Sequence, residues 1–395
     1  MSTHHSAHTT RRVFLSCALL SCALLTPQIS ISTQQNAQSA YDDVYFEAAC
    51  RGDVYTLKVI ALTKGLYKGI NAEGRTLLHE AAQRGNEVLV DYLITQDFAL
   101  NTQDKHGDTP LLLAVKNKHT PVASKLLAKG AYATTADNTG RTPLHVALEN
   151  QSHFRALIPT LINNGANVNA QDKHGVTPLM VYASNASFGW GTSRSSLKQG
   201  EKAYALAQLL LSKGARVNVV DAQGQTALHK ALAHGINKAA ALLIDAGAQV
   251  TIQDKKGMTA LHCITYYEHL PLKSMLQKGA QINARDKQGD TPAHKVADLH
   301  HFTPELLTLL KQHGANINAA NNVGQTPLHI AAKLKHEWHD DSWGQDIVQD
   351  AYSTVETLLN LGANRNAQDK QGKKPIDLAW SDEVKALLRV KNSKK

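Results

Sequence analysis

Hydrophobic and polar positions along this chain come in recurring blocks. A polar stretch built on Asp-x-x-Gly leads into Thr-Pro-Leu-His or a close variant. Apolar pairs such as Leu126-Leu127 and Leu358-Leu359 follow, and the block closes on Gly-Ala, as at Gly130-Ala131 and Gly362-Ala363. The Thr-initiated string begins at Thr76, Thr109, Thr142, Thr177, Thr226, Thr259, Thr291 and Thr326, with a more polar version at Lys374. Successive copies start 33, 33, 35, 49, 33, 32, 35 and 48 residues apart, so two intervals carry an extra half repeat. A fixed period of this length is the mark of a repeat array.

Each block predicts the same local structure. Asp and Gly make a tight turn, because Gly accepts a positive φ that side chains resist. Thr caps a first short helix, and Pro at its first position has no amide to leave unpaired. A second helix carries the apolar pair and stops at the Gly before Ala. Helices this short are marginal alone, so they must be held by stacking of Leu and Ala faces on the neighbouring repeats.

Taken together, the period, the turn glycines and the apolar pairs resemble the ankyrin-repeat family from about residue 42 to about 390. The resemblance implies an all-α fold with short β-hairpin fingers, an ankyrin-repeat α-solenoid. The expected organisation is an amino-terminal capping repeat over 40–70 and eight repeats over 71–368, with insertions at 185–201 and 335–350. A carboxyl-terminal cap and basic tail follow over 369–395. His79, His145, His229, His262, His294 and His329 are the fourth residue of the motif, and the resemblance gives them a structural role on turn backbone.

The amino terminus departs from the pattern. Residues 1–12 are polar and end in Arg11-Arg12, followed by an uncharged stretch from Val13 to Leu25 and then Thr26-Pro27. That order describes an export signal over residues 1–39, and Arg11-Arg12 before the apolar run is similar to the bacterial twin-arginine motif. The apolar stretch is shorter than the roughly 20 residues of a membrane-spanning helix. Cleavage before Ala40 is expected; Leu19-Leu20-Ser21-Cys22 leaves a lipid on Cys22 as the alternative, and the only route to a membrane. Periplasm or cell envelope is the expected location, secretion the alternative.

Composition changes the picture little. The chain is 43% hydrophobic but only 5% aromatic, which suits small helix–helix contacts. A net charge of +9 over 395 residues is too small an excess to point to nucleic acid. Beyond the signal only Cys50 and Cys263 remain, about six repeats apart; both are read as core thiols too distant for a disulfide.

No nucleophile motif, phosphate-cradling loop or paired-cysteine zinc spacing occurs, so neither catalysis nor a cofactor is expected. His336, His339, Asp340 and Asp341 cluster in the second insertion, but His336-Glu337-Trp338-His339 places its second histidine one residue early for the zinc-helix motif. A metal-binding role there is a lesser alternative.

The resemblance implies a protein partner, of unknown identity, bound by a monomer through a concave groove and the finger tips. The groove positions, four and five residues after the motif histidine, include Arg84, Lys116, His234 and the pair Tyr266-Tyr267. The tips carry Lys105, Lys173, Lys255, Lys256, Lys287 and Lys370, either a cationic ridge or merely solvated lysines. The insertions hold Trp190, Trp338 and Trp343, which either contact a partner or pin each insertion to its own repeat. The expected function is a non-catalytic interaction scaffold; a secreted effector acting on a host protein is the alternative.

Overall fold

The structure is a computed structural model and describes residues 44–64, 69–185, 204–266, 270–299, 303–334 and 344–389. The expected export signal with Cys22, the residues Tyr267, Trp190, Trp338 and Trp343, and the histidine cluster of the second insertion lie outside the described residues. Internal contacts divide the chain into two compact units, one ending at Asn167 and the other starting at Val168. No described helix is long and apolar enough to cross a membrane.

In the first unit, helical residues 44–51 and the helix Val54–Lys64 precede three helix pairs: Leu77–Arg84 with Glu87–Thr95, Pro110–Lys116 with Thr120–Ala128, and Pro143–Glu149 with Leu157–Asn163. First helices pack on first helices and second on second. Leu77, Leu111 and Leu144 from the first row, and Leu93, Leu126 and Leu161 from the second, are fully buried between neighbours.

The second unit repeats this scheme. Pro178–Asn185 and helical residues 204–212 are followed by Ala227–Ala233 with Asn237–Asp245. A 3-10 turn at Ala260–Cys263 pairs with Leu272–Gln277, Pro292–Ala297 with Thr303–Gln312, Pro327–Ala332 with Gly344–Asn360, and Pro375–Leu378 with Asp382–Arg389.

Three findings refine the expectations. The fingers form no strand among the described residues; each is a turn closed on itself, as where Asp104 N donates to Asp108 O at 2.9 Å and Gly107 N to Asp104 O at 2.9 Å. A four-residue tip leaves no room for a ladder. The first helix after Thr259 shrinks to one 3-10 turn, and Ile264 is extended at φ −68° and ψ 130°. Ile264, Thr265 and Tyr266 are β-branched or aromatic, and such side chains lose χ1 freedom against a preceding helical turn. Finally, Gly344–Asn360 is a 17-residue helix, so residues 344–350 of the second insertion are its opening turns.

Candidate partner-binding surface

The motif threonines and histidines form one device. Thr76 N donates to His79 Nδ1 at 3.0 Å, while His79 Nε2 donates to the carbonyls of Thr102 at 3.0 Å and Asp108 at 3.1 Å in the next finger. His229, His262, His294 and His329 do the same toward the carbonyls of Met258, Asp290, Gln325 and Lys373. An imidazole that accepts at Nδ1 and donates at Nε2 is the neutral Nε2–H tautomer. Burial holds all five below the ordinary histidine pKa, although the carbonyls they bond pull the other way. These rings bolt one repeat to the next finger, and their nitrogens are engaged. Where Leu112 or Met180 replaces the histidine, the threonine hydroxyl alone caps, accepting from Leu112 N at 3.2 Å and Met180 N at 3.3 Å.

Finger carboxylates are withdrawn in the same way. Asp254 Oδ1 accepts from Lys256 N at 2.8 Å and Met258 N at 2.9 Å. Asp286 accepts from Gln288 N and Asp290 N, both at 2.9 Å, and lies 2.8 Å from Lys295 Nζ. Lys230 meets Asp221 at 2.8 Å, and Arg75 meets Asp104 at 2.9 Å. Burial would raise the Asp221 pKa, but Lys230 and two backbone amides outweigh it and hold the carboxyl below its usual range.

The tips themselves are joined by single backbone bonds. Lys105 N donates to Glu73 O at 2.9 Å in the first unit. In the second, Lys255 N donates to Gln223 O at 2.8 Å, Lys287 N to Lys256 O at 2.9 Å, Asn322 N to Gln288 O at 2.9 Å and Lys370 N to Val323 O at 3.0 Å. Close approach of this kind needs glycine beside it: Gly289 has φ +77°, and a Cβ there would stand 2.8 Å from Asn322 N.

Lys105, Lys173, Lys255, Lys256, Lys287 and Lys370 all project into solvent from these tips. Arg84 and His234 are exposed at the ends of their first helices, His234 with Nδ1 on the Lys230 carbonyl at 2.8 Å. Lys116 is different. Its ammonium bridges Asp108 at 2.6 Å and Asp137 at 2.9 Å, so it braces two fingers of the first unit from within. Burial works against its charge, but the two carboxylates outweigh it and raise its pKa, while the Asp137 carboxyl falls to about 2.

Tyr266 does not stand on a helix. It lies half-buried beyond the 3-10 turn, where a Cβ on Gly235 would come within 3.0 Å of its own Cβ, and its carbonyl accepts from Asn237 Nδ2 at 2.9 Å. His119 takes the same place against Gly85 in the first unit, reaching the Gln83 carbonyl at 3.0 Å. The shortened helix has carried Tyr266 from the groove into the turn between helices. Cys50 is half-buried, not in the core, with Sγ 3.5 Å from Glu80 Oε2; burial first, and then the Glu80 charge, raise its pKa. Cys263 is buried, and both thiols are free.

One spine of contacts escaped the sequence reading. Asn218 donates to Gly247 O at 3.1 Å and accepts from Gln249 N at 2.8 Å. Asn169, Asn283 and Asn318 repeat this pattern one repeat apart. The signal was present as an Asn four residues after the glycine of four Gly-Ala pairs, but its partner lies a whole repeat ahead.

A cavity of about 460 Å³ opens in the second unit between the fingers at 286–290 and 321–325. Ile330, Lys295, Asp298 and Lys333 of the first helices form its inner wall, and Lys287 and Val323 its lip. Among the described residues no group of three or more His, Cys, Asp or Glu side chains is placed to hold a metal ion.

Helix pairs bolted through capped threonines and turn fingers define a repeat protein of the α-solenoid class. The family description "Ankyrin repeats (3 copies)" matches residues 46–137, 197–286 and 268–339, and "Ankyrin repeat" matches 139–173 and 323–370. The chain belongs to the ankyrin-repeat family. It is similar to the Neurogenic locus Notch protein of Drosophila melanogaster, 42% identical over 98 residues, covering 24% of this chain and 4% of that protein. Neurogenic locus notch homolog protein 1 of Homo sapiens is 32% identical over 148 residues, covering 37% of this chain and 5% of the relative. The chain thus spans about a twentieth of the length of these relatives.

Proposed function

We propose that this chain is a non-catalytic scaffold that binds a protein partner through the finger tips and the exposed side of the first helices of its second unit. The observation that carries the reading is a division of labour among its polar groups. Histidines and finger carboxylates, the residues with chemical potential, are tied into caps and turns, whereas the tip lysines face solvent and one of them, Lys287, lines an open cavity. The ankyrin-repeat family as a whole mediates protein–protein contacts, which supports the same reading. A photo-crosslinking residue at Gln288, on a tip, is expected to capture a partner from native extract. The same residue at Lys311, exposed on the second helix Thr303–Gln312, is expected to capture none. Capture from Lys311 alone would move the docking face to the other side of the repeat.

The scaffold is proposed to work outside the cytoplasm, in the periplasm or cell envelope, on the strength of Arg11-Arg12 and the apolar stretch after it. Amino-terminal sequencing of protein from its native cell should then start near Ala40; an intact Met1 sinks the export reading.

A further inference from the structure

Four consecutive tips of the second unit differ in a way that specifies an occupant. Three present lysine, at Lys255-Lys256, Lys287 and Lys370, while the tip between the last two presents Asn322-Val323. All four lysines are exposed, and among the described residues no ion pair involves them. The carboxylates beneath cannot neutralise them from outside, because Asp254, Asp286 and Asp369 are buried and bonded to the amides of their own turns. Asp290 is likewise held by Lys295 at 2.7 Å and by Asn321 Nδ2 at 2.8 Å. The result is an ordered row of cation, cation, aliphatic, cation.

The aliphatic tip adjoins the cavity. Val323 is 55% exposed at its lip and Ile330 is 6% exposed in its wall, so an apolar side chain entering there gains contact on both. At about 460 Å³ the cavity holds far more than a single water. Lys287 and Lys333 also line it.

We propose that this row binds an extended acidic segment of a protein partner, with an aliphatic side chain seated between Val323 and Ile330. The inference rests on the reading of tips and first helices as the docking face. Neighbouring repeats stack at roughly 10 Å, and an extended segment in the polyproline II form rises about 3.1 Å per residue with three residues per turn, so every third side chain faces the row and meets one tip. The matching segment therefore carries an acidic residue at every third position, with an aliphatic residue replacing it opposite Val323. Charge complementarity supplies the attraction and the apolar seat fixes the register. Nucleic acid fits less well: among the described residues no Phe, Tyr or Trp lines the cavity to stack a base.

The test is fluorescence anisotropy of the full chain with a labelled peptide bearing glutamate at every third position in a serine background, leucine taking the place of the third glutamate. Binding is expected at physiological salt, and exchanging the leucine for serine should weaken it about tenfold, the scale of one buried aliphatic side chain. Lys287→Glu should weaken it at least as much, while Lys311→Glu, on a second helix, leaves it unchanged; circular dichroism confirms that both variants fold. Equal binding of a shuffled peptide of the same composition overturns the register and with it the proposal. Preferential binding of single-stranded DNA of equal charge overturns the choice of a polypeptide. If the peptide fails to bind while a crosslinker at Gln288 still captures a partner, the acidic code is wrong and the docking face survives. If Lys311→Glu proves the damaging variant, both fall.

Discussion

The two units are built from one motif and part company at the tips. In the first, the exposed tip residues are mixed: Glu73 on one finger, Lys105 on the next, Asn138 and Thr139 on the third. Its groove lysine, Lys116, is turned inward to bridge Asp108 and Asp137. The second unit keeps its bridging lysines one turn deeper, at Lys230 and Lys295, and leaves lysine on tip after tip. Capping and core packing thus vary independently of what the fingers display. A repeat can change its partner chemistry at two tip positions without touching the contacts that hold it in the stack.

That separation is first tested where the units ought to agree. Leu126 and Leu243 are both fully buried on second helices, one in each unit. Leu126→Ala and Leu243→Ala should each cost about 2–5 kcal/mol, from lost burial plus the cavity left behind. Urea midpoints would show it; a neutral result in one unit means that its second helices are not packed as the other's are.

Acid should separate the units. His229, His262, His294 and His329 of the second unit are held neutral below the ordinary histidine pKa, as is His79 in the first. Because the folded value is the lower one, the unfolded chain takes up protons first as pH falls below about 6.5. Each such histidine then removes up to about 1.4 kcal/mol of stability per pH unit until its folded pKa is reached. Stability is complete above about pH 6.5 and is lost on acidification through that window. Hydrogen exchange, corrected for intrinsic rate, should show the second unit opening before the first near pH 5. Simultaneous opening would mean that the rings are not the acid-labile bolts. His294→Ala at neutral pH strands the Gln325 carbonyl and is expected to cost about 1–3 kcal/mol.

How much of this the sequence showed depends on the reach of each contact. Thr142, Pro143 and His145 lie within one turn, so cap, first position and imidazole could be read together, and the structure forms that capping box. Period and turn glycines were equally local. The Lys116 bridge was not legible, because Asp137 follows 21 residues later and only the stacked repeats bring the two together. Tyr266 misled for the opposite reason. Counting from His262 assumed a helix that the run Ile264-Thr265-Tyr266 does not sustain.

Lys116→Met sharpens the contrast between braced and free lysines. The Lys116 side chain is about one-third exposed, so solvent screens its two ion pairs, and the expected loss is about 1 kcal/mol or less. Lys255→Ala, with no carboxylate to lose, should change stability by less than about 0.5 kcal/mol. Equal losses in thermal or urea denaturation would erase the distinction between the two kinds of lysine.

One small effect is expected to carry the opposite sign. Where a tip has asparagine in its first position, the side chain makes a second bond to the preceding tip: Asn138 Nδ2 donates to Lys105 O at 2.8 Å, and Asn322 Nδ2 to Lys287 O at 2.9 Å. Lys287 holds that same position, and its ammonium reaches into solvent instead of to the Lys255 carbonyl. The lysine tips therefore forgo an inter-repeat hydrogen bond that their backbone geometry allows. Lys287→Asn should restore it and raise stability by about 0.5 kcal/mol, the lower end for a bond in contact with water. The same change removes a cation from the row proposed to meet an acidic segment, so peptide binding should weaken while the urea midpoint rises. A lower midpoint would show that Lys287 stabilises the stack itself, and the separation of tip chemistry from packing would fail at the residue chosen to display it.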